Sequence, residues 1–319
     1  MSVRFVELER LTRVAPFGVR FWDPATQTQV GAGLSVTGMS LPASSEVRAV
    51  MTPSSVYVLQ GLPGMGDAER GSGEASYWTG AGPPTHSLLV RVADPQGQFL
   101  PVTFEAEAPH WQLVDAGCSF VGSPPWHPVW VPPAAPTGLS PPGPGDAPRW
   151  VPVVPLFSAP ARPAPAGMAV VRAQLELAPA SSPGGGAPAS WAALELTPPG
   201  GPPVIGVADG NGLATVMFAW PEPPALQLSP PSPTIRPLSA QTWTIGVRAY
   251  FGSGSLPALA PVAAPDGVPD LCDLLRQHPA TLLQDGSTPL VSVPLRYGQE
   301  TVARTLGLSV LLLAPAGLP

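Results

Sequence analysis

The stretch VADGNGLATVMFAWPEPP, residues 207–224, sets an acidic, glycine-rich tetrapeptide between apolar runs and stops at prolines. Read as a loop, DGNG would supply ligands; read as a turn, it joins two half-buried strands. A calcium loop of the EF-hand type needs oxygen ligands at alternate positions and a bidentate Glu at its twelfth. Here Asp209 and Asn211 are followed by apolar Leu213, Ala214 and Val216, which give a hard cation nothing further to hold. The turn needs only that Gly210, Asn211 and Gly212 accept positive backbone angles. The residue chemistry favours the turn, and the runs on either side then read as β-strands.

The same alternation recurs along the chain. In PFGVRFWDPATQTQVGAGLSVTG, residues 16–38, Val19 and Phe21, then Leu34 and Val36, keep a two-residue spacing, with DPAT as a turn between the runs. SSVYVLQG (54–61) and SLLVRVADPQGQFLPVTFEA (87–106) repeat it, the second with turn chemistry at Asp94, Pro95 and Gly97. MAVVRAQLEL, SWAALELTP and PVIGVADGNGLATVMFAWP continue it after residue 165. VADPQGQFLPVTF (92–104) and VADGNGLATVMF (207–218) share Val-Ala-Asp, a glycine three residues after the aspartate and a strand ending on Phe. Two comparable hairpins 115 positions apart suit two consecutive sandwich-like domains, residues 1–125 and 151–319. The stiff Pro-rich passage 126–150 lies between them as linker or strap. Helical periodicity is confined to short pieces. The clearest is PDLCDLLRQHP, where Leu271, Leu274 and Leu275 share a face, predicting a short helix near 270–278. The apolar run from Leu306 through Leu313 reads as a core strand, with a strand donated to a neighbour as the alternative.

Composition bounds the function. Apolar residues make up 44% of the 319 and charged ones 11%, so Ser, Thr, Gln, Pro and Gly must cover the surface in place of ion pairs. Pro (48) and Gly (34) are numerous enough to raise the question of disorder, but nine tryptophans and compact β-branched runs argue for folded cores. The net charge is −6 and all 15 basic residues are Arg, without a basic cluster, which speaks against nucleic acid as a partner. Arg4, Glu7, Glu9, Arg10 and Arg13 break the apolar run that a signal peptide would need, and the last apolar stretch is too short to span a bilayer. The expectation is a protein assembled in the cytoplasm without membrane insertion. Cys118 and Cys272 fit no CxxC spacing and read as two reduced thiols, a single disulfide being the alternative.

No residue type clusters as catalysis requires. His110, Cys118 and His127 share one neighbourhood, but the spacing is irregular and one thiol is not a zinc set. That region reads as a hydrophobic seam of Trp111, Phe120, Trp126 and Trp130 with histidines at its rim. His86 and His278 stand apart from it. FGSGSLP (251–257), around Ser253, has its glycines misplaced for a nucleophile elbow. Gly61, Gly64 and Gly66 in GLPGMG lack the Lys-Ser/Thr of a phosphate cradle. Glu105 and Glu107 alternate on one strand face as solvated carboxylates. No catalytic, cofactor-binding or metal-binding residue is assigned.

PLFSAPARPAPAGMAVVRAQLEL, SWAALELTPPGG and GVADGNGLATVMFAWPEPP together resemble the carboxypeptidase regulatory-like, or transthyretin-like, β-sandwich, in which an aspartate-glycine turn precedes a final apolar strand. The opening LERLTRVAPFGVRFWDPATQTQVGAGLSV is similar to accessory proteins of extracellular contractile injection systems, the phage-tail-like particles of bacteria. The expected fold is then all-β, with two immunoglobulin-like or transthyretin-like sandwiches. The resemblance implies a non-enzymatic structural or adaptor subunit of such a particle, released with it from the cell. Its partners would be tube, sheath, cap or baseplate proteins, and its own form an oligomer or ring. Two other readings stand beside this one. A carbohydrate- or protein-binding module would carry some of Trp22, Trp78, Trp111, Trp126, Trp130, Trp150, Trp191, Trp220 and Trp243 on an open face. An enzyme would assemble its site from distant residues.

Overall fold

The structure, a computed structural model, describes residues 15–40, 45–66, 86–108, 112–113, 153–178, 186–222, 238–252, 267–275 and 277–315. It is mostly β-sheet with almost no helix. The first nine strands are β1 (Phe17–Asp23), β2 (Thr28–Val30), β3 (Ser35–Ser40), β4 (Glu46–Arg48), β5 (Val50–Met51), β6 (Tyr57–Leu59), β7 (His86–Ala93), β8 (Val102–Ala108) and β9 (Gln112–Leu113). After the Pro-rich passage come β10 (Val153–Pro155), β11 (Met168–Leu177), β12 (Ala193–Thr197), β13 (Val204–Val207), β14 (Leu213–Ala219), β15 (Thr242–Phe251), α1 (Leu271–Leu275), β16 (His278–Leu283), β17 (Ser292–Arg296), β18 (Thr301–Ala303) and β19 (Leu311–Pro315). Among the described residues no helix is long and apolar enough to cross a membrane.

Two five-stranded sheets share the first core. One runs β10-β1-β6-β5 with β2 also on β1; the other is the meander β4-β3-β7-β8-β9. The alternation predicts which side chains turn inward: Phe17, Val19 and Phe21 from β1 meet Val36, Leu88, Val90 and Phe104 from the other sheet. Gly38 lets the sheets approach at Leu59, since a Cβ on Gly38 would collide with the Leu59 methyl groups. Leu62 and Met65 of the GLPGMG loop plug this core, so its glycines serve a turn. Residues from beyond the Pro-rich passage complete it: Val154, Leu156, Ala193, Tyr250 and the three leucines of α1. The predicted face of Leu271, Leu274 and Leu275 is therefore real, but the helix is shorter than expected. His278 opens β16, where Pro279 pairs with Tyr250 on β15, and proline cannot continue a helix.

The nine-stranded sheet, β13-β12-β15-β16-β19-β11-β14 with β17 on β15 and β18 on β11, encloses the second core. Ile245, Val247 and Ala249 of β15 and Leu194 and Leu196 of β12 meet Val171, Ala173 and Leu175 of β11 and Val216 and Phe218 of β14. Ala193–Leu196 are buried on both faces, one toward each core. The carboxyl-terminal run divides at its turn: Leu306 and Leu308 are exposed, whereas Leu311 and Leu313 are fully buried on β19, between β16 and β11.

DGNG is the β13–β14 turn. Asp209 Oδ1 accepts from the backbone N–H groups of Asn211 (2.8 Å) and Leu213 (2.9 Å), which occupies the carboxylate locally. Asp94 holds the β7–β8 connection in the same way, accepting from Gln96, Gln98 and Phe99, so the sequence similarity is one of turn chemistry. Asp285 repeats it with Ser287 and Thr288, whose N–H groups hold its exposed carboxyl down at about 2. The 207–219 hairpin is also docked: Leu175 N–H donates to Gly212 O at 2.7 Å, and Gly212 has φ +81° with the Leu175 carbonyl where a Cβ would stand. Gly286 has φ +89° and open space around it. Gly286→Ala should therefore lose about 1–2 kcal/mol from backbone conformation alone, and Gly212→Ala about 1–3 kcal/mol more from overpacking against β11. Urea denaturation of both variants checks this, and equal losses would contradict the docked turn.

Candidate functional site: a cleft walled by tryptophan and proline

Trp22 and Trp220 each end an apolar strand and are followed within two residues by proline, in FWDPATQ and AWPEPP. The fold brings the two ends to one cleft of about 520 Å³. One wall comes from the β1–β2 turn, with Trp22, Pro24 and Gln27, backed by Pro155 and Phe157. The facing wall is the β12–β13 connection, PPGGPP at residues 198–203, together with Ile205 and the residues that follow β14, Trp220, Pro221 and Glu222; Leu275 of α1 also lines it. Seven of the lining residues are prolines, and Glu222 is the one ionisable side chain among the described lining residues. Trp220 is braced from behind by Trp243 and Tyr297, at ring-centroid distances of 6.0 and 4.9 Å. Trp243 is itself buried, and its indole N–H has no hydrogen-bond partner among the described residues.

A buried ion pair fixes the first wall. Asp23 lies between Trp22 and Pro24 and meets Arg162 at 2.5 Å, both side chains being about 5% exposed. Arg162 also donates to Ser158 Oγ (2.9 Å) and lies over the Phe99 ring at 4.7 Å. Asp23 accepts from Ala25 N–H (2.9 Å) and the Thr26 hydroxyl (2.7 Å), so one carboxylate shapes the turn and anchors it. Burial favours its protonated form, but the hydrogen bonds from Arg162 and Thr26, the Arg162 charge and the Ala25 N–H outweigh that and hold Asp23 below the ordinary carboxylate range. Gln27, at the rim, sits at φ 56°, a conformation rare outside glycine, with its amide donating to Pro24 O.

No known protein family, curated protein or solved structure matches the chain.

Elsewhere the residues weighed in the sequence stay apart. His86 opens β7 and the exposed His278 opens β16, in different sheets. Glu105 is exposed on β8, as expected, and Glu107 shares that strand. His110, Cys118, His127 and Ser253 lie outside the described residues, as do Trp78, Trp111, Trp126, Trp130 and Trp150. Among the described residues no three His, Cys, Asp or Glu side chains gather as a metal set. One buried polar cluster leaves no mark in the sequence, because alternation alone does not single it out. Glu195, on the face of β12 toward the first core, accepts from the Tyr250 hydroxyl at 2.9 Å and has the exposed Arg248 guanidinium at 3.7 Å. Burial, with the Glu195 carboxylate beside it, pushes the Tyr250 hydroxyl far above its ordinary value, so it remains a donor. Gln277, also buried, closes the start of β12 by accepting from Ala193 N–H and donating to Trp191 O.

Two outcomes follow. Asp23→Ala leaves Arg162 buried without its counter-charge and should cost about 3–5 kcal/mol. A carboxyl whose value is depressed by folding contributes stability above its unfolded value, about 3.9, and loses it as pH falls through the folded one. The wild-type midpoint in denaturant should therefore fall more steeply below about pH 4 than that of Asp23→Asn, and parallel curves would remove the pair from this role. Tyr250→Phe should cost about 1–3 kcal/mol, since it strips a buried acceptor of its donor; an unchanged thermal midpoint would show that the Glu195 bond contributes nothing.

Proposed function

We propose that the chain is a non-enzymatic structural or adaptor subunit, built on two sandwich-like units, that works by holding another polypeptide in the Trp22–Trp220 cleft. The observation that carries this reading is the lining itself. Two tryptophans and seven prolines, supplied from both sides of the Pro-rich passage, surround a cavity with a single ionisable group among the described lining residues. Acid–base or nucleophilic chemistry needs several convergent polar groups with shifted proton affinities, whereas recognition of a chain needs aromatic anchors in a desolvated recess. A glycan would ask for a ring of hydrogen-bonding side chains, and this lining has Gln27 and Glu222 for that purpose. The setting suggested by the resemblance of residues 8–36 is a contractile, tail-like particle, in which a subunit with few charges is covered by its neighbours.

The test is to tag the chain in its own cell, sediment a clarified lysate at high speed and examine the pellet by negative-stain microscopy and mass spectrometry. Recovery with sheathed tubes is expected, together with a loss of at least about tenfold when Trp22 and Trp220 are both changed to Ala in a protein that keeps its β-sheet circular dichroism. A chain that remains a small soluble species in every preparation would overturn the assembly role.

A further inference from the structure

We infer that the cleft takes a proline-rich segment in the left-handed extended conformation, with a basic residue of that segment beside Glu222. This rests on the polypeptide-holding reading and names the class of polypeptide. Four observations carry it. First, seven of the lining residues are prolines, and each withholds the N–H that a sheet ladder would need, so the walls offer few places to add a strand. Recognition must then come from side-chain faces. Second, Trp22, Phe157 and Trp220 supply aromatic surface in one recess, and a polyproline helix, with three residues per turn and no internal hydrogen bonds, enters such a recess already extended.

Third, the indole N–H groups of Trp22 and Trp220 have no hydrogen-bond partner among the described residues. A proline-rich segment is the polypeptide that offers carbonyl acceptors while bringing few donors of its own. Fourth, Glu222 is exposed at the lip and makes no hydrogen bond or ion pair among the described residues, so the charge it complements is positive. The volume of about 520 Å³ lies within the range of recesses that enclose a short ligand.

The experiment is fluorescence anisotropy of the full chain with a fluorescein-labelled synthetic peptide, PPLPPLPPRP. Saturable binding is expected, weakened at least about tenfold in Trp220→Ala. Replacing the peptide arginine with alanine should weaken it by about two- to fivefold. Because Trp220 also braces Trp243 and Tyr297, the exposed Glu222→Arg is the second variant. It should lower affinity for the arginine peptide and leave that of the alanine peptide unchanged. An alanine-for-proline peptide of equal length and charge should bind at least about tenfold more weakly. Absence of saturation up to about 1 mM peptide, or affinities indifferent to both variants, would overturn the inference. If that happens while cleft-dependent co-sedimentation persists, the ligand class alone is wrong; if co-sedimentation is also lost to the cleft, the holding role falls with it.

Discussion

The contact between Asp23 and Arg162 orders much of the molecule around it. Two charges taken out of water cost several kcal/mol each, and the cost is offset only where every lone pair and proton has a partner. Here the carboxylate also accepts from Ala25 and Thr26 and the guanidinium also reaches Ser158 and the Phe99 ring. These partners belong to the β1–β2 turn, the β7–β8 connection and the segment after β10. A pair tied at both ends to these partners has little freedom, and its geometry places Trp22 and Pro24 on the wall of the cleft. Arg172 extends the latch into the second core, donating to Pro160 O and to Thr215 Oγ1 and pairing with Glu300 at 2.9 Å.

The second constraint is a strand with no free face. β12 sends Leu194 and Leu196 into one core and Ala193 and Glu195 toward the other. The β13, β12 and β15 end of the large sheet is therefore a floor for the first core as well as a wall of the second. A wholly apolar β12 would pair in either register, because a slip of one residue exchanges the two faces. Glu195 breaks that symmetry, since it can be buried only where Tyr250 and Arg248 meet it.

Much of the secondary structure could be read directly. The two-residue spacing of Val19 and Phe21, the DPAT turn and the strands around DGNG correspond to β1, β2, β13 and β14 because half-buried strands must alternate and tight turns need Asp, Asn or Gly. The helix was legible in kind and misjudged in length, since nothing local to PDLCDLLRQHP reports that Tyr250 draws Pro279 into a sheet. The cleft was visible only as fragments. Trp22, PPGGPP and Trp220 lie far apart along the chain, and their meeting is a product of the parallel β1–β10 pairing and of the packing of both cores.

That parallel pairing has a consequence for synthesis. Arg20, Phe21 and Trp22 are matched to Val153, Val154 and Pro155, more than a hundred residues later, and the same core also waits for Tyr250 and for the leucines of α1. At about 5–20 residues per second, the apolar side of β8 stands incomplete for about ten to thirty seconds, and that of β1 for about ten to fifty, after they leave the ribosome. The first sheets made are thus among the last to be covered, and the nascent chain depends during that interval on whatever shields exposed strand edges in its cell.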